Sequence, residues 1–175
     1  MKGLDCHNIF FPEDYTEEFY QIFDQPRPLS NPTLYLHRPS HLDETLAPAG
    51  QESWFVLVNA PPLDRFSPWT EDYADFVLNL LEARLVREGV SFSRDWVLWK
   101  RFHSPHYFQT VYSAWQGSLY GLSSNSLRQA FLRIPNKSRI HGLGFCGGSA
   151  HPGGGIPLVL QSGRLAAEQI PVNRG

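Results

Sequence analysis

Apolar residues follow two different spacings along the chain, and each spacing predicts a different kind of element. Dense runs of apolar and aromatic residues predict strands over residues 7–11, 33–39 and 54–61. Apolar residues three and four positions apart predict a helix that opens at Pro12-Glu13-Asp14. The apolar face of this helix consists of Tyr15, Phe19, Ile22 and Phe23.

A second helix is predicted to begin near Ser67-Pro68-Trp69, because serine caps helices and proline suits their first turn. Its apolar stripe consists of Tyr73, Phe76, Val77, Leu80, Leu81 and Leu85. Residues 96–104 and 140–148 are predicted to be strands, the second one buried, and a short helix is predicted after Pro105. Helices and strands alternate loosely, which predicts the α+β class.

The last element predicted is a helix over residues 156–170, which follows a glycine-rich stretch that begins near Cys146. Three consecutive glycines, Gly153, Gly154 and Gly155, cost much backbone entropy unless positive φ angles or a close approach of the backbone require them. A helix start carries unpaired N–H groups and partial positive charge, so this stretch predicts a site for an anionic or electron-rich group. The alternative is a glycine-rich turn before a tightly packed helix, with no ligand.

One face of this final helix carries Ile156, Val159, Leu160 and Gly163, continued by Ala166, Ala167 and Ile170. The small residues in this stripe predict very close packing against a sheet or a flat ligand. The glycine order is not G-x-G-x-x-G, so the stretch is not the fingerprint of a first dinucleotide-binding turn.

Composition narrows the class of protein. The chain has 175 residues, of which 42% are hydrophobic and 18% charged, as in globular proteins. Net charge is -2 and no basic block occurs, so nucleic-acid binding is not expected. The two cysteines, Cys6 and Cys146, are far apart and form neither a metal spacing nor a disulfide framework, which favours a reducing compartment. No apolar run is long enough to span a bilayer.

Several segments together resemble one family in order along the chain. "GGSAHPGGGIPLVLQSGRLAAEQI" is similar to the C-terminal flavin-binding segment of the phytoene desaturase-like family, the carotenoid desaturases, isomerases and their relatives. "HNIFF", "DYTEEFYQIF", "PTLYLHRPSHLDETLAPAGQESWFVLVNAPP", "FHSPHYFQTVYSAWQGSLYGL" and "RIPNKSRIHGLGFCGG" resemble the middle and late regions of that family. The resemblance covers nearly the whole chain, from His7 to Ile170.

The resemblance implies an FAD-dependent oxidoreductase of carotenoid biosynthesis with two domains. Residues 1–138 would belong to a polyene-binding domain with a mixed sheet and helices. Residues 139–175 would be the closing strand, glycine loop and helix of a Rossmann-like FAD-binding domain. The family motif places the flavin contacts at Gly147, Gly148, Ser149, His151, Gly153, Gly154, Gly155, Ile156 and Pro157.

The chain departs from the family pattern in one respect. The G-x-G-x-x-G turn that binds the ADP half of FAD, and the acidic residue expected after the next strand, are absent from these 175 residues. The expectation is therefore a C-terminal piece that binds FAD poorly and lacks desaturase activity without the N-terminal FAD-binding region, whether that region is on the same chain or a separate one.

Aromatic residues are dense over residues 102–120, and 14% of the whole chain is aromatic. Such a cluster is either ordinary core or the wall of a long apolar channel, and a carotenoid would bind in a channel by shape and apolar contact. The candidate substrate-binding residues are Phe102, Tyr107, Phe108, Tyr112, Trp115 and Tyr120. Because a polyene partitions into lipid, the complete enzyme is expected in the cytoplasm, peripheral to a membrane.

The sequence gives little indication of a metal site or of catalytic residues. His103 and His106 lack a third ligand nearby, so no metal site is expected. No catalytic acid or base is assigned. Two other functions stay open: a non-catalytic module that binds a carotenoid or another apolar ligand, and a related flavin oxidoreductase or isomerase with a non-carotenoid substrate.

Overall fold

The structure of the chain, a computed structural model, describes residues 3–63, 69–120 and 132–169. The chain divides into two compact units, Met1–His106 and Tyr107–Gly175. The first unit contains strands β1 (His7–Phe10), β2 (Leu34–His37) and β3 (Phe55–Val58), with β2 in the centre. Both strand pairs are antiparallel. The predicted strands over 7–11, 33–39 and 54–61 are therefore confirmed, each slightly shorter than expected.

One face of this sheet forms the core of the first unit. Alternate residues of β2, Leu34 and Leu36, are fully buried because they face helix α2, which spans Glu71–Arg87. The antiparallel register places apolar side chains of β1 and β3 beside them on the same face. The core also includes Leu4, Phe10, Trp54, Val56, Val58, Val77, Leu80, Leu81, Leu85, Val90 and Phe92.

Helix α2 follows its predicted apolar stripe, with Leu81 and Leu85 buried. The apolar face predicted for the first helix is wrong: Tyr15, Phe19 and Phe23 are exposed, because its inner side instead carries Glu18 and Gln21, which accept hydrogen bonds from the amides of Thr33 and Ser30.

Helix α1 covers Tyr15–Phe19 and continues as a wider π-helical turn over Tyr20–Asp24. The Asp14 carboxylate caps α1 by accepting hydrogen bonds from the amides of Thr16 and Glu17. Helix α2 begins at Glu71 with Thr70 as its N-cap, so the predicted start near Trp69 is too early; Ser67 and Pro68 lie outside the described residues.

The second unit has little regular structure apart from helices. Helix α3 spans Pro105–Tyr112, which confirms the predicted helix after Pro105, although its first two residues belong to the first unit. Helix α4 spans Ile156–Ala167, within the predicted range. Isolated bridges pair Ile134 with Ala150 and Lys137 with Gly144. The mixture of helices with an antiparallel sheet fits the α+β class, and no described helix is long and apolar enough to cross a membrane.

Two predicted strands are wrong. Residues 97–104 form no strand, and Trp96, Leu98 and Trp99 are largely exposed. Residues 140–148 form a bent loop with one bridge, and Ile140, Leu143 and Phe145 are exposed rather than buried. A strand requires a partner for its backbone hydrogen bonds, and neither segment lies beside another strand among the described residues.

An ion pair between buried Arg38 and the partly exposed carboxylate of Glu52 lies at one end of the sheet. The Arg38 side chain is only 1% exposed, and its guanidinium donates two hydrogen bonds to the Glu52 carboxylate, 2.9 Å from Nε to Oε2 and 2.8 Å from Nη2 to Oε1. Its Nη1 donates to the carbonyl oxygen of Leu4. These hydrogen bonds from Arg38 lower the pKa of Glu52 to about 2. The pair ties the segment before β1 to the segment before β3.

Replacing Glu52 by Gln should lower the free energy of unfolding by about 3 kcal/mol, because Arg38 would remain buried without its counter-charge. The folded-state pKa of Glu52 lies below its ordinary value of 4.5. The stabilisation is therefore complete above the ordinary value and is lost as the pH falls toward about 2.

Urea unfolding of the parent chain and Glu52→Gln across this acidic range measures both effects. Arg27→Gln is the matched control, since the Arg27–Glu17 pair is about half exposed on both sides and should cost less than about 1 kcal/mol. Equal losses in the two variants, or an unchanged acid dependence in Glu52→Gln, would contradict the assignment.

Candidate functional site

A buried asparagine holds the glycine loop of the second unit in place. The Asn136 side chain is 5% exposed, and its amide nitrogen lies 3.0 Å from the carbonyl oxygen of Phe145, 2.9 Å from that of His151 and 3.0 Å from the Ser162 hydroxyl oxygen. Ser162 on α4 is fully buried and also accepts a hydrogen bond from the Gly147 amide. One side chain therefore joins both ends of the loop to the helix that follows it.

The first two of the three consecutive glycines lie under other side chains. A Cβ added at Gly153 would lie 3.1 Å from Nε of Arg133, and Gly153 has a φ of +136°. A Cβ added at Gly154 would lie 2.8 Å from Cε1 of Tyr120. Arg133 also donates hydrogen bonds to the carbonyl oxygens of Tyr120 and Gly148. Glycine is required at these positions by contacts within the chain itself.

No described residue covers the third glycine, at the start of the final helix. Gly155 has a φ of +97°, and a Cβ added there would meet no atom within 4 Å. It is the N-cap of α4 and, being a glycine, has no side chain with which to cap the helix. Pro157 lies in the first turn, as the sequence predicts. The partial positive charge of this helix end is therefore not satisfied by a side chain of the cap.

The other predicted cofactor residues surround this opening with different exposure. Ser149 and His151 are exposed, while Gly147 and Gly148 are half-buried. Gly147 has a φ of +111°, and a Cβ there would meet no atom within 4 Å. Gly148 lies close to the backbone of Gly154, 3.7 Å from an added Cβ to the Cα atom. The structure thus brings the predicted residues together, with Gly147 and Gly155 as the open positions.

Helix α4 exposes the residues that the sequence predicts to be packed. Ile156 is 79% exposed and Leu160 is 70% exposed, while Leu158 and Val159 are partly exposed. The side of α4 that faces the rest of the second unit instead carries the buried hydroxyl of Ser162. The apolar side of the helix therefore has no cover among the described residues.

The predicted substrate-binding aromatics differ in their contacts and exposure within each unit. Tyr107, Phe108 and Tyr112 are in mutual ring contact along α3, and the hydrogen bond with Tyr107 raises the pKa of Tyr112. Trp115 is 81% exposed. Tyr120 instead lies against Gly154 of the loop. Phe102, which belongs to the first unit, is half-buried.

A second apolar surface was missed by the sequence reasoning. The outer face of the sheet in the first unit carries exposed Ile9, Phe55 and Leu57, and the side chain of Tyr35 lies between them. The alternation of each strand could have found this face, because apolar residues occupy both sides of β1 and β3. A sheet with only one covered face would normally be polar on the other.

Gly154→Ala should destabilise the second unit by about 1–3 kcal/mol, because its methyl group would overlap the Tyr120 ring. The double substitution Gly154→Ala with Tyr120→Ala should cost less than the two single substitutions together. Thermal unfolding of all three variants measures this coupling.

Gly163→Ala is the matched control for the backbone effect. Gly163 lies within α4 and an added Cβ would meet no atom within 4 Å, so alanine should be neutral or stabilise by about 0.5–1 kcal/mol. A Gly154→Ala variant as stable as Gly163→Ala would show that Tyr120 does not require the glycine.

Sequence comparisons show which known proteins the chain is similar to. No family model matches the chain. It is 38% identical over 173 residues to a 1-hydroxycarotenoid 3,4-desaturase of Flavobacterium sp., a match that covers 96% of the chain and 34% of the relative. It is 34% identical to a phytoene desaturase of Phycomyces blakesleeanus, covering 97% of the chain and 30% of the relative.

A third relative is a 4,4'-diaponeurosporene oxygenase of Staphylococcus aureus, 32% identical over 95% of the chain and 34% of the relative. The chain therefore spans about a third of the length of the curated relatives it matches. The similarity runs through both compact units, including the glycine loop and α4, and it confirms the family that the sequence motifs indicate. The chain therefore belongs to the carotenoid desaturase family and corresponds to about a third of the length of the relatives it matches.

Proposed function

We propose that the chain is part of an FAD-dependent oxidoreductase that acts on a carotenoid in carotenoid biosynthesis. The observation that carries the proposal is identity of 32–38% along almost the whole chain to relatives named as carotenoid desaturases and oxygenases. A relation of this extent supports a shared substrate class, a long apolar polyene. The bond that is altered, and whether the reaction is desaturation or oxygenation, differ among these relatives by name.

The proposed position in the complete enzyme is the C-terminal part of two domains. Residues 1–138 would contribute to the polyene-binding domain, and residues 139–175 would close a Rossmann-like FAD-binding domain. The exposed segment 140–148 fits this arrangement, because a segment without a neighbouring strand can pair with a sheet supplied by the FAD-binding region.

The glycine loop fits a flavin at one part of its surface. Gly155 and Gly147 are open, and the uncapped start of α4 favours an electron-rich group, such as the pyrimidine edge of a reduced flavin. Gly153 and Gly154 fit less well on the sides that Arg133 and Tyr120 cover. We therefore assign flavin contact to Gly147, Gly148, Ser149, Gly155, Ile156 and Pro157, with His151 at the margin.

When bound, FAD would supply the acceptor for the electrons removed from the polyene. The residues of this chain would position the flavin and stabilise charge on it. The open backbone at Gly155 would allow close approach of the ring, and the helix start would stabilise negative charge that develops on it. The exposed apolar side chains of α4 would exclude water once they are covered.

Two surfaces of the chain suit an apolar polyene. One is the α3 cluster of Tyr107, Phe108 and Tyr112, and the other is the outer face of the sheet with Ile9, Phe55 and Leu57. Both offer aromatic and aliphatic side chains for contact with a hydrocarbon ligand. Because such a substrate partitions into lipid, we place the complete enzyme in the cytoplasm at the surface of a membrane.

The proposed partner is an N-terminal FAD-binding region of the kind that the relatives' extra length would hold. Its contact surface would include the uncovered face of α4, where Ile156 and Leu160 are the most exposed apolar residues. Covering such a face removes large apolar side chains from water and so drives association.

The isolated chain should bind FAD poorly and show no desaturase activity. Coexpression with the two-thirds of a relative that have no counterpart in this chain should yield a yellow complex, measured by flavin absorbance after copurification. Leu160→Asp should prevent assembly, whereas Gln161→Asp, at an exposed polar position of the same helix, should not.

The complex would then be tested with phytoene, neurosporene and a hydroxylated carotenoid, with products separated by chromatography and identified by absorbance. Conversion of any of them supports the proposal. Flavin tightly bound by the isolated chain would contradict the proposed need for the partner. Carotenoid binding without flavin in the complex would instead identify a non-catalytic binding module, and flavin binding with no carotenoid conversion would favour a related oxidoreductase with another substrate.

A further inference from the structure

Three potential metal ligands meet at the end of the sheet where β1 begins and β2 ends. His7 and His37 are directly paired across the two strands. Cys6 immediately precedes β1 and is 5% exposed. One ligand atom from each of these three residues lies within 4.8 Å of the other two. The sequence gives no indication of this cluster, because the two cysteines form no metal spacing and His37 is distant along the chain from Cys6 and His7.

The chemistry of the three groups suits a borderline or soft cation. A thiolate with two imidazoles is a ligand set used for Zn²⁺, with Zn–S near 2.3 Å and Zn–N near 2.0–2.1 Å. In a tetrahedral site these bond lengths separate ligand atoms by about 3.3–3.6 Å. The three groups therefore need to approach one another by about 1 Å, a distance that side-chain rotation can supply.

A neighbouring hydroxyl group orients one of the imidazoles. Nδ1 of His7 lies 2.8 Å from the Tyr35 hydroxyl oxygen, which leaves Nε2 as the ligand atom of His7. Histidine ligands of metals regularly have such a hydrogen bond at their second nitrogen. The His7 and His37 rings are stacked with 4.6 Å between centroids and 11° between planes, so at least one ring must turn to direct its nitrogen at a shared ion.

The backbone around the cluster is already fixed. The carbonyl oxygen of Cys6 accepts a hydrogen bond from the Arg38 amide at 2.8 Å. The Asp5 carboxylate accepts one from the Cys6 amide at 2.6 Å and adds negative charge beside the cluster. A cation bound there would link the first residue of β1 to the last residue of β2.

We propose that Cys6, His7 and His37 form a zinc site, with water as the fourth ligand, that fastens the first strand to the second. The site uses no residue of the glycine loop and does not depend on the proposed flavin chemistry. Zinc would stabilise the first unit by binding the folded chain in preference to the unfolded chain.

The test uses the untagged 175-residue chain, treated with a chelator and kept reduced, and titrates it with Co²⁺ as a spectroscopic substitute for Zn²⁺. The expected result is thiolate-to-cobalt charge-transfer absorption together with the visible bands of tetrahedral cobalt, both removed by adding Zn²⁺. Zinc should also raise the Tm of the chain.

Variants identify the ligands. Cys6→Ser should abolish the charge-transfer band, and His7→Gln and His37→Gln should each weaken Zn²⁺ binding by at least about tenfold, since even partners beyond the ligands contribute about 10–100-fold. Tyr35→Phe should weaken it by about tenfold while leaving the charge-transfer band. His7 is exposed, so His7→Gln tests the site without disturbing the core even where Cys6→Ser lowers stability.

Matched controls are Cys146→Ser, which removes the exposed second cysteine, and His41→Gln, which removes a nearby exposed histidine. Both should bind cobalt as the parent chain does. Absence of the charge-transfer band in the parent chain would overturn the proposal. So would a band that survives Cys6→Ser, a band that disappears in Cys146→Ser, or unchanged zinc affinity in His7→Gln.

Discussion

The conformation of the glycine loop depends on the buried contact between Asn136 and Ser162. The side-chain amide of Asn136 and the hydroxyl group of Ser162 reach backbone carbonyls and an amide on both sides of the loop. Polar contacts inside a protein are strong only when every group is satisfied. The loop therefore has a defined shape even though the apolar side of α4 faces outward.

The structure of the loop gives a different reason for glycine at each of its positions. Gly154 has no side chain because the Tyr120 ring occupies that space, whereas Gly155 and Gly147 adopt positive φ angles beside open space. The three consecutive glycines look alike in the sequence, yet only part of the run is available to a ligand. The flavin surface assigned in the Proposed function is accordingly narrower than the motif suggests.

Sequence patterns predicted the helices and the three paired strands, and failed for two apolar segments that lie beside no other strand among the described residues. The three strands and helix α2 pack on one another, so their periodicity matched their burial, whereas the apolar face predicted for α1 is exposed. Segments 96–104 and 140–148 have apolar composition typical of strands, but within residues 3–63, 69–120 and 132–169 they lack a neighbouring strand. Asn136, Arg133 and the Cys6, His7 and His37 cluster could not be predicted, because their meaning depends on contacts between residues that are distant along the chain.

The outward apolar side of α4 also bears on how the chain behaves in a concentrated solution. Large exposed aliphatic side chains on α4, and the exposed rings of Trp115 and Tyr112 in the same unit, are the kind of groups that cause proteins to cluster. A net charge of only -2 gives little electrostatic repulsion against such clustering. The amount of non-aggregated chain in a cell would then depend on how much of the partner that covers α4 is present, and less on the folding equilibrium of the chain itself.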